Sequence, residues 1–420
     1  MIFNSLLFDK STFQSLNPDE IFFLRTYYRP VISHILVIEI LADLKKYENK
    51  ALNADRVRDL SNKILQLNPT YSASYYQLLE MSLLGFPVEM RGRPNVPGGK
   101  TVINPDGKKG IVFSQPIEEQ ILQRWRDGKF DEAEKLSADS WRDSIEDNVI
   151  KPDSLPRPDF LNELKNQDDL LSYIDSYLKI PQTQDEILHN ILAVFAFPQE
   201  IATQVFYRYE QAKPILISDF APYALYCYRI FMLFQLSIYR GITTPRQTDI
   251  IDLQYLYYLP FVTIFTSHDR FHKTFAPLFL REDQQFIIGG SLKSDLKSIV
   301  QLRDAVPEKE LDNWMAKYKK FPPKQTDSIT YMTWKDGATP NYKDWTEEPH
   351  KRTPEEEKEL LERLKQMKGT RADVESSQVF DEEGTEFITR ETWIGPDDYC
   401  PCDSGKLFKD CHLPEVKKNK

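Results

Sequence analysis

Two short apolar runs, each closed by an aspartate, constrain this chain more than any other feature. Ile2–Phe8 runs into Asp9, and Phe261–Thr266 runs into Ser267-His268-Asp269. A short apolar, β-branched and aromatic run that stops at a polar turn reads as a buried strand. More than two hundred residues separate the two runs. From about 50 to 220 they carry helical spacing, so β/α character stands at both ends of a long helical stretch.

The segments between follow local rules. Pro18–Tyr27 reads as a helix, with Pro18 at its start and Asp19 and Glu20 in its first turn, where the helix dipole favours acids. Val31 and Ile32 suit a second short strand. Ser33 caps a helix expected to reach Tyr47, on which Glu39 and Asp43 share a face at i,i+4. Leu52–Leu67 is a further helix. Residues 91–110, rich in Gly, Pro and basic side chains, read as a loop. Helices follow over 116–146 and 159–178, with Trp125 and Trp141 as core anchors. Glu186–Tyr239 reads as buried helices broken at Pro198, Pro214 and Pro222. Thr248 is the expected N-cap of a helix from Asp249 to Leu259, ended by Pro260. Residues 352–374 form a charged helix with pairs such as Glu359–Arg363, read as solvated.

A chain of 420 residues exceeds one core and implies two or three units. The formal net charge of −10 excludes a generally basic polyanion binder, so nucleic acid would have to meet a local basic surface or bound cations. The most apolar stretch, Ala221–Ile238, contains Arg229, which argues for a buried helix over a membrane span. No signal-peptide pattern opens the chain, and the expectation is a cytoplasmic protein without a membrane partner. Cys227 lies in this stretch and reads as a core thiol.

The acids carry the functional reading. Asp9 and Asp269 follow strands directly, Glu39 sits on an apolar helix, and Asp249 and Asp252 open another. Ligands of parallel α/β sheets gather beyond the carboxyl ends of the strands. Several carboxylates in one cleft repel one another unless a divalent cation neutralises them, and Mg²⁺ or Mn²⁺ suits such oxygen donors. The matching chemistry is metal-dependent phosphodiester hydrolysis. Arg240, Arg246, Arg270 and Lys273 lie beside the acids in sequence as substrate-contact candidates. Arg91, Arg93, Lys100, Lys108 and Lys109 offer a second basic segment, a candidate clamp. Thr266 and Ser267 flank the last acid, and His268 and His272 read as surface residues.

The segments SLLFDKSTF, ISHILVIEILADL and TDIIDLQYLYYLPFVTIFTSHDRFHK together resemble the PIN-like nuclease family, over about residues 1–48 and 220–285. The resemblance implies a three-layer α/β/α fold with a parallel sheet, and ribonuclease activity supported by Mg²⁺ or Mn²⁺. It assigns the catalytic and metal-holding acids to Asp9, Glu39, Asp252 and Asp269. Asp249 competes with Asp252 for the third place, and both could serve, since i,i+3 puts them on one face. Compact members keep the second and third acids much closer in sequence than Glu39 and Asp252 are here, which implies a large, mainly helical insertion.

Three of the four cysteines cluster near the C-terminus. Cys400, Cys402, Cys411 and His412 form a soft, closed ligand set suited to structural Zn²⁺. Gly405 permits the turn between the pairs, and Lys406 and Lys409 favour the thiolates. CPCDSGKLFKDCH resembles the SEC-C motif, with Asp403 where Gly is usual. That resemblance implies a small adaptor that contacts a partner protein or the ribosome.

The expected organisation is a PIN-like domain in two parts, 1–48 and 220–290, around a helical insertion, 49–219. A polar extension over 291–390 and a zinc module over 391–420 complete it. The expected function is endoribonuclease. The alternatives are a non-catalytic adaptor working through the tail, or a nuclease for DNA or structured RNA in stress or phage defence.

Overall fold

The computed structural model describes residues 4–46, 50–103, 109–113, 115–147, 163–337, 376–380 and 386–390. The charged stretch 352–374 and all four expected zinc ligands lie outside the described residues. The chain divides into two compact units, Met1–Pro97 with Gln115–Thr346, and Gly98–Ser114 with Glu347–Lys420.

The first unit is α/β. Its sheet is built from β1 (Ser5–Phe8), β2 (Arg29–Ile32) and β3 (Thr70–Tyr71), joined near the far end of the unit by two more strands. In the second unit, β4 (Gly99–Ile103) and β5 (Lys109–Phe113) form an antiparallel pair. The two late strands of the first unit's sheet are β6 (Ile264–Ser267) and β7 (Gln285–Ile288), and a second antiparallel pair, β8 (Ser376–Phe380) and β9 (Glu386–Arg390), belongs to the second unit. The five-stranded sheet has the order β3-β2-β1-β6-β7 and every pairing in it is parallel. All four residues of β1 and of β6 are buried, as a central strand covered on both faces requires. β7 is partly exposed, as an edge strand should be.

Local sequence explains the elements. Helix Pro18–Tyr27 starts with Pro18 at its first position and a capping box. Glu20 N–H donates to Asn17 Oδ1 at 2.8 Å, and Asn17 N–H donates to Glu20 Oε2 at 2.8 Å. Among the described residues of the first unit, helices make up most of the chain between Tyr75 and Tyr239. The prolines divide them as their geometry demands. Gln184–Val194 stops before Pro198, Gln199–Ala212 stops before Pro214, and Pro222–Tyr239 opens on its proline. Arg229 forks onto Asp175 at 2.5 and 2.8 Å, which makes its place on an apolar helix tolerable. No helix among the described residues is long and apolar enough to cross a membrane. Cys227 is fully buried.

Several elements differ from the sequence reading. The helix after Ser33 runs only from His34 to Leu41 and tightens into a 3-10 turn, Ala42–Lys45. Helix Asp249–Leu256 is followed by a 3-10 turn, Leu259–Phe261, so β6 begins at Ile264 and not at Phe261. Thr248 precedes that helix without a side-chain cap. The expected loop 91–110 contains β4 and the start of β5. Thr101, Val102 and Ile103 pair there with Ile111, Gly110 and Lys109, a β-branched stretch on one strand that the Gly and Lys content obscures.

Candidate active site at the sheet's switch point

Sheet order reverses between β1 and β6, and Phe8 pairs with Thr266 there. The crevice beyond the carboxyl ends of two such strands is where doubly wound sheets take ligands. Both strands hand over to short helices through an acid. Asp9 caps Lys10–Ser15, its Oδ1 accepting from Thr12 N–H at 2.9 Å. Asp269 caps Arg270–Phe275, its Oδ1 accepting from Phe271 N–H at 2.6 Å. Capping explains why an acid stands at each position; the topology explains why the two acids meet.

Asp9, Glu39, Asp252 and Asp269 line a single cavity of about 320 Å³, together with Lys10, Lys46, Asp43, Trp141 and Tyr255. Glu39 comes from helix His34–Leu41, and Tyr255 Oη donates to its Oε2. Asp252 comes from the first turn of Asp249–Leu256. Trp141 arrives from helix Glu132–Asp147, so the helical stretch supplies part of the wall. Asp249 is not on that wall. It is buried and binds Arg246 twice, accepting from its N–H and its Nε, each at 2.8 Å.

Crowding sets the electrostatics. Burial pushes the Glu39 carboxyl up to about 7, with the Asp9 and Asp43 charges adding to it and Lys10 and the Tyr255 hydroxyl opposing. Burial, then the charges of Asp269 and Glu39, drive Asp252 well above the usual carboxylate range. At Asp269 burial acts upward too, but hydrogen bonds from Arg246 and Phe271 N–H overcome it and hold the carboxyl low.

Cations hold this arrangement from two sides. Lys10 Nζ donates to the Glu39 carbonyl at 2.6 Å and pairs with Asp43 at 2.8 Å. Burial lowers the Lys10 ammonium despite both neighbouring acids. Asp43 is fully buried and also takes Arg56 Nε at 2.9 Å. On the other side Arg246 Nη2 reaches Asp269 at 3.0 Å and Asp252 at 3.3 Å. Sequence reasoning overlooked Lys10, although its place next to a strand-end acid was a signal, and overlooked Tyr255.

His272 is a correction: it is fully buried, not a surface residue. Its Nε2 lies 2.8 Å from the Asp252 carbonyl oxygen, and its Nδ1 lies 2.8 Å from Ser267 Oγ. Ser267 Oγ also lies 2.7 Å from Asp9 Oδ2 and receives Asp269 N–H at 2.9 Å. A carbonyl only accepts, so Nε2 carries a proton. Burial favours the neutral ring, despite the Asp9 charge. A neutral ring with Nε2–H accepts at Nδ1, so the single Ser267 proton is shared between His272 and Asp9. Three acid-bearing elements are thereby tied to one imidazole. His268 is exposed, as expected, with Nε2 3.3 Å from Ser15 Oγ.

The other candidate cations of the first unit do not converge here. Arg240 Nε donates to the Leu164 carbonyl at 2.9 Å and is not on the cavity wall. Arg270 and Lys273 are exposed on helix Arg270–Phe275, also away from the wall. Gly92, between Arg91 and Arg93, docks at the opposite end of the sheet. It donates to the Pro260 carbonyl at 2.8 Å, and its carbonyl accepts from Ser5 Oγ at 2.9 Å. Lys100 and Lys109 stand on the β4–β5 pair of the second unit. Lys108 lies outside the described residues.

The donor set is all oxygen and dense in carboxylate, which in chemical type fits a hard divalent cation. As arranged, no group of three or more His, Cys, Asp or Glu side chains among the described residues could hold one ion. Asp252 and Asp269 close on the Arg246 guanidinium, a built-in cation standing in the same carboxylate cluster.

Among comparisons with known proteins, residues 398–414 match the family model of the SEC-C motif. The matched span contains Cys400, Cys402, Cys411 and His412. No curated protein and no solved structure matches the chain.

Proposed function

We propose that this chain is a metal-dependent endoribonuclease of PIN-like architecture. The observation that carries the reading is the meeting of Asp9, Glu39, Asp252 and Asp269 in one cavity at the reversal point of a parallel sheet. In this reading the four carboxylates hold Mg²⁺ or Mn²⁺, and residues 49–219 are an insertion that narrows the approach to them. A divalent cation supplies Lewis acidity and a nucleophile usable at neutral pH. The chain's own groups do the positioning. Thr12 N–H, Ser11 and Ser267 orient the Asp9 carboxylate, and Tyr255 orients Glu39. Lys10 fixes the Glu39 backbone and offsets its charge.

The tail is proposed to hold structural Zn²⁺ through Cys400, Cys402, Cys411 and His412. A second reading is a non-catalytic adaptor that reaches a partner protein or the ribosome through this tail. Two observations favour it: the SEC-C match, and the closure of two acids on Arg246.

The deciding experiment is cleavage of end-labelled single-stranded RNA and DNA by wild type and Asp9→Asn, stripped of metal and resupplied with Mn²⁺. Metal-dependent cleavage that vanishes in the variant supports the nuclease, and the preferred strand separates RNA from the DNA alternative. A folded protein that cleaves neither strand gives the adaptor precedence.

A further inference from the structure

We infer that Arg246 is an internal counter-ion that competes with the divalent cation for Asp252 and Asp269 and must leave them for the cation to bind. The inference rests on the metal-site reading above and adds its regulation. Three facts carry it. Arg246 engages two of the four cavity acids at 3.0 and 3.3 Å. Its own anchor, Asp249, is buried off the cavity wall and grips both its N–H and its Nε at 2.8 Å. Among the described residues, no three His, Cys, Asp or Glu side chains stand where they could hold one ion.

The arrangement is one of poise. The Arg246 side chain is 49% exposed, and Asp252 and Asp269 line the cavity, so exchange needs no unpacking of the core. Five residues before Arg246, Gly241 adopts φ +68 with nothing within 4 Å of where a Cβ would stand, a backbone suited to a change of direction ahead of the arginine. Once displaced, the guanidinium remains anchored beside the carboxylates, within reach of a phosphodiester drawn to the cation. It then serves as the phosphate contact. One residue thus excludes the cation in the resting state and meets the substrate in the loaded one.

A ligand that binds only the open state sees its affinity reduced by the open fraction, so a latch closed nine-tenths of the time weakens Mn²⁺ binding about tenfold. The test is Mn²⁺ titration of the full chain by calorimetry and by electron paramagnetic resonance of the free ion, with no substrate present. Arg246→Gln should bind Mn²⁺ about tenfold more tightly than wild type. Asp249→Asn, which frees the anchor and leaves the cavity acids intact, should shift affinity in the same direction. With RNA, Arg246→Gln should raise KM more than it lowers kcat. Equal Mn²⁺ affinity in wild type and both variants overturns the latch while leaving the metal site standing. Absence of Mn²⁺ binding in all three overturns the metal reading and the latch with it. Should Arg246→Gln fail to fold, Asp249→Asn and Arg246→Lys decide the matter, since lysine keeps the charge but cannot fork across three carboxylates.

Discussion

Glu39 shows how much the site costs the fold. Its carboxyl is raised from 4.5 to about 7 in the native cavity. Between those values the native state holds a proton that the unfolded chain has released, so stability falls as pH rises through that window and is level above it. Glu39→Gln removes the penalty and keeps an oxygen for the Tyr255 hydroxyl. Denaturant unfolding should show the variant more stable than wild type by about 3 kcal/mol at pH 8. The gap should close towards pH 4.5, and an equal gap at both values would assign the shift to something other than this carboxyl. Ser267 behaves oppositely. It serves Asp9, His272 and Asp269 N–H at 2.7, 2.8 and 2.9 Å. Ser267→Ala leaves buried polar groups short of a partner, a loss of about 2 kcal/mol on unfolding. In the nuclease reading it should also slow cleavage by releasing one hydrogen bond on the Asp9 carboxylate.

Close approach of the elements makes the crevice. Helix Gly289–Asp304 begins against the first helix, and a Cβ at Gly289 would stand 2.5 Å from Thr12 Oγ1 and 2.9 Å from His268. Thr12 is the residue whose N–H holds Asp9. Alanine in a helix gains at most about 1 kcal/mol over glycine, and less in a first turn, whereas forced overpacking costs about 1–3 kcal/mol. Gly289→Ala should therefore lower stability and disturb Asp9, read as a fall in unfolding midpoint together with weaker Mn²⁺ binding. A variant as stable as wild type would mean that Thr12 yields. The strand ends at Asp9 and Asp269 were legible in the sequence because an apolar run stopping at an acid is a local signal. So were the proline-bounded helices of 184–239. The six-residue helix Lys10–Ser15 was not, being too short to show a period. Arg246 closing on the acids and His272 sinking into them were not, because both depend on which elements meet. β3 has two residues and β7 four, too short to show an alternating pattern.

Hard and soft donors are segregated along this chain, and that separation makes a prediction about the molecule as a whole. The cavity of the first unit offers carboxylates, whereas the span matching the SEC-C motif offers three thiols and an imidazole. Thiolates and imidazole select zinc, and carboxylates with water select magnesium or manganese, so in the proposed reading each ion has one address. A Cys400→Ser, Cys402→Ser double variant should lose about one Zn²⁺ per chain by elemental analysis, consistent with a four-ligand closed site. It should keep Mn²⁺-dependent cleavage if the acids alone run the reaction, while losing any ribosome or protein partner that co-purifies with wild type. Asp9→Asn should do the reverse, retaining zinc and partner but not cleavage. Such a double dissociation would make the tail an address for a separable catalytic unit. Loss of cleavage on loss of zinc would instead tie the two ion sites into one machine, and would count against independent chemistry in the cavity.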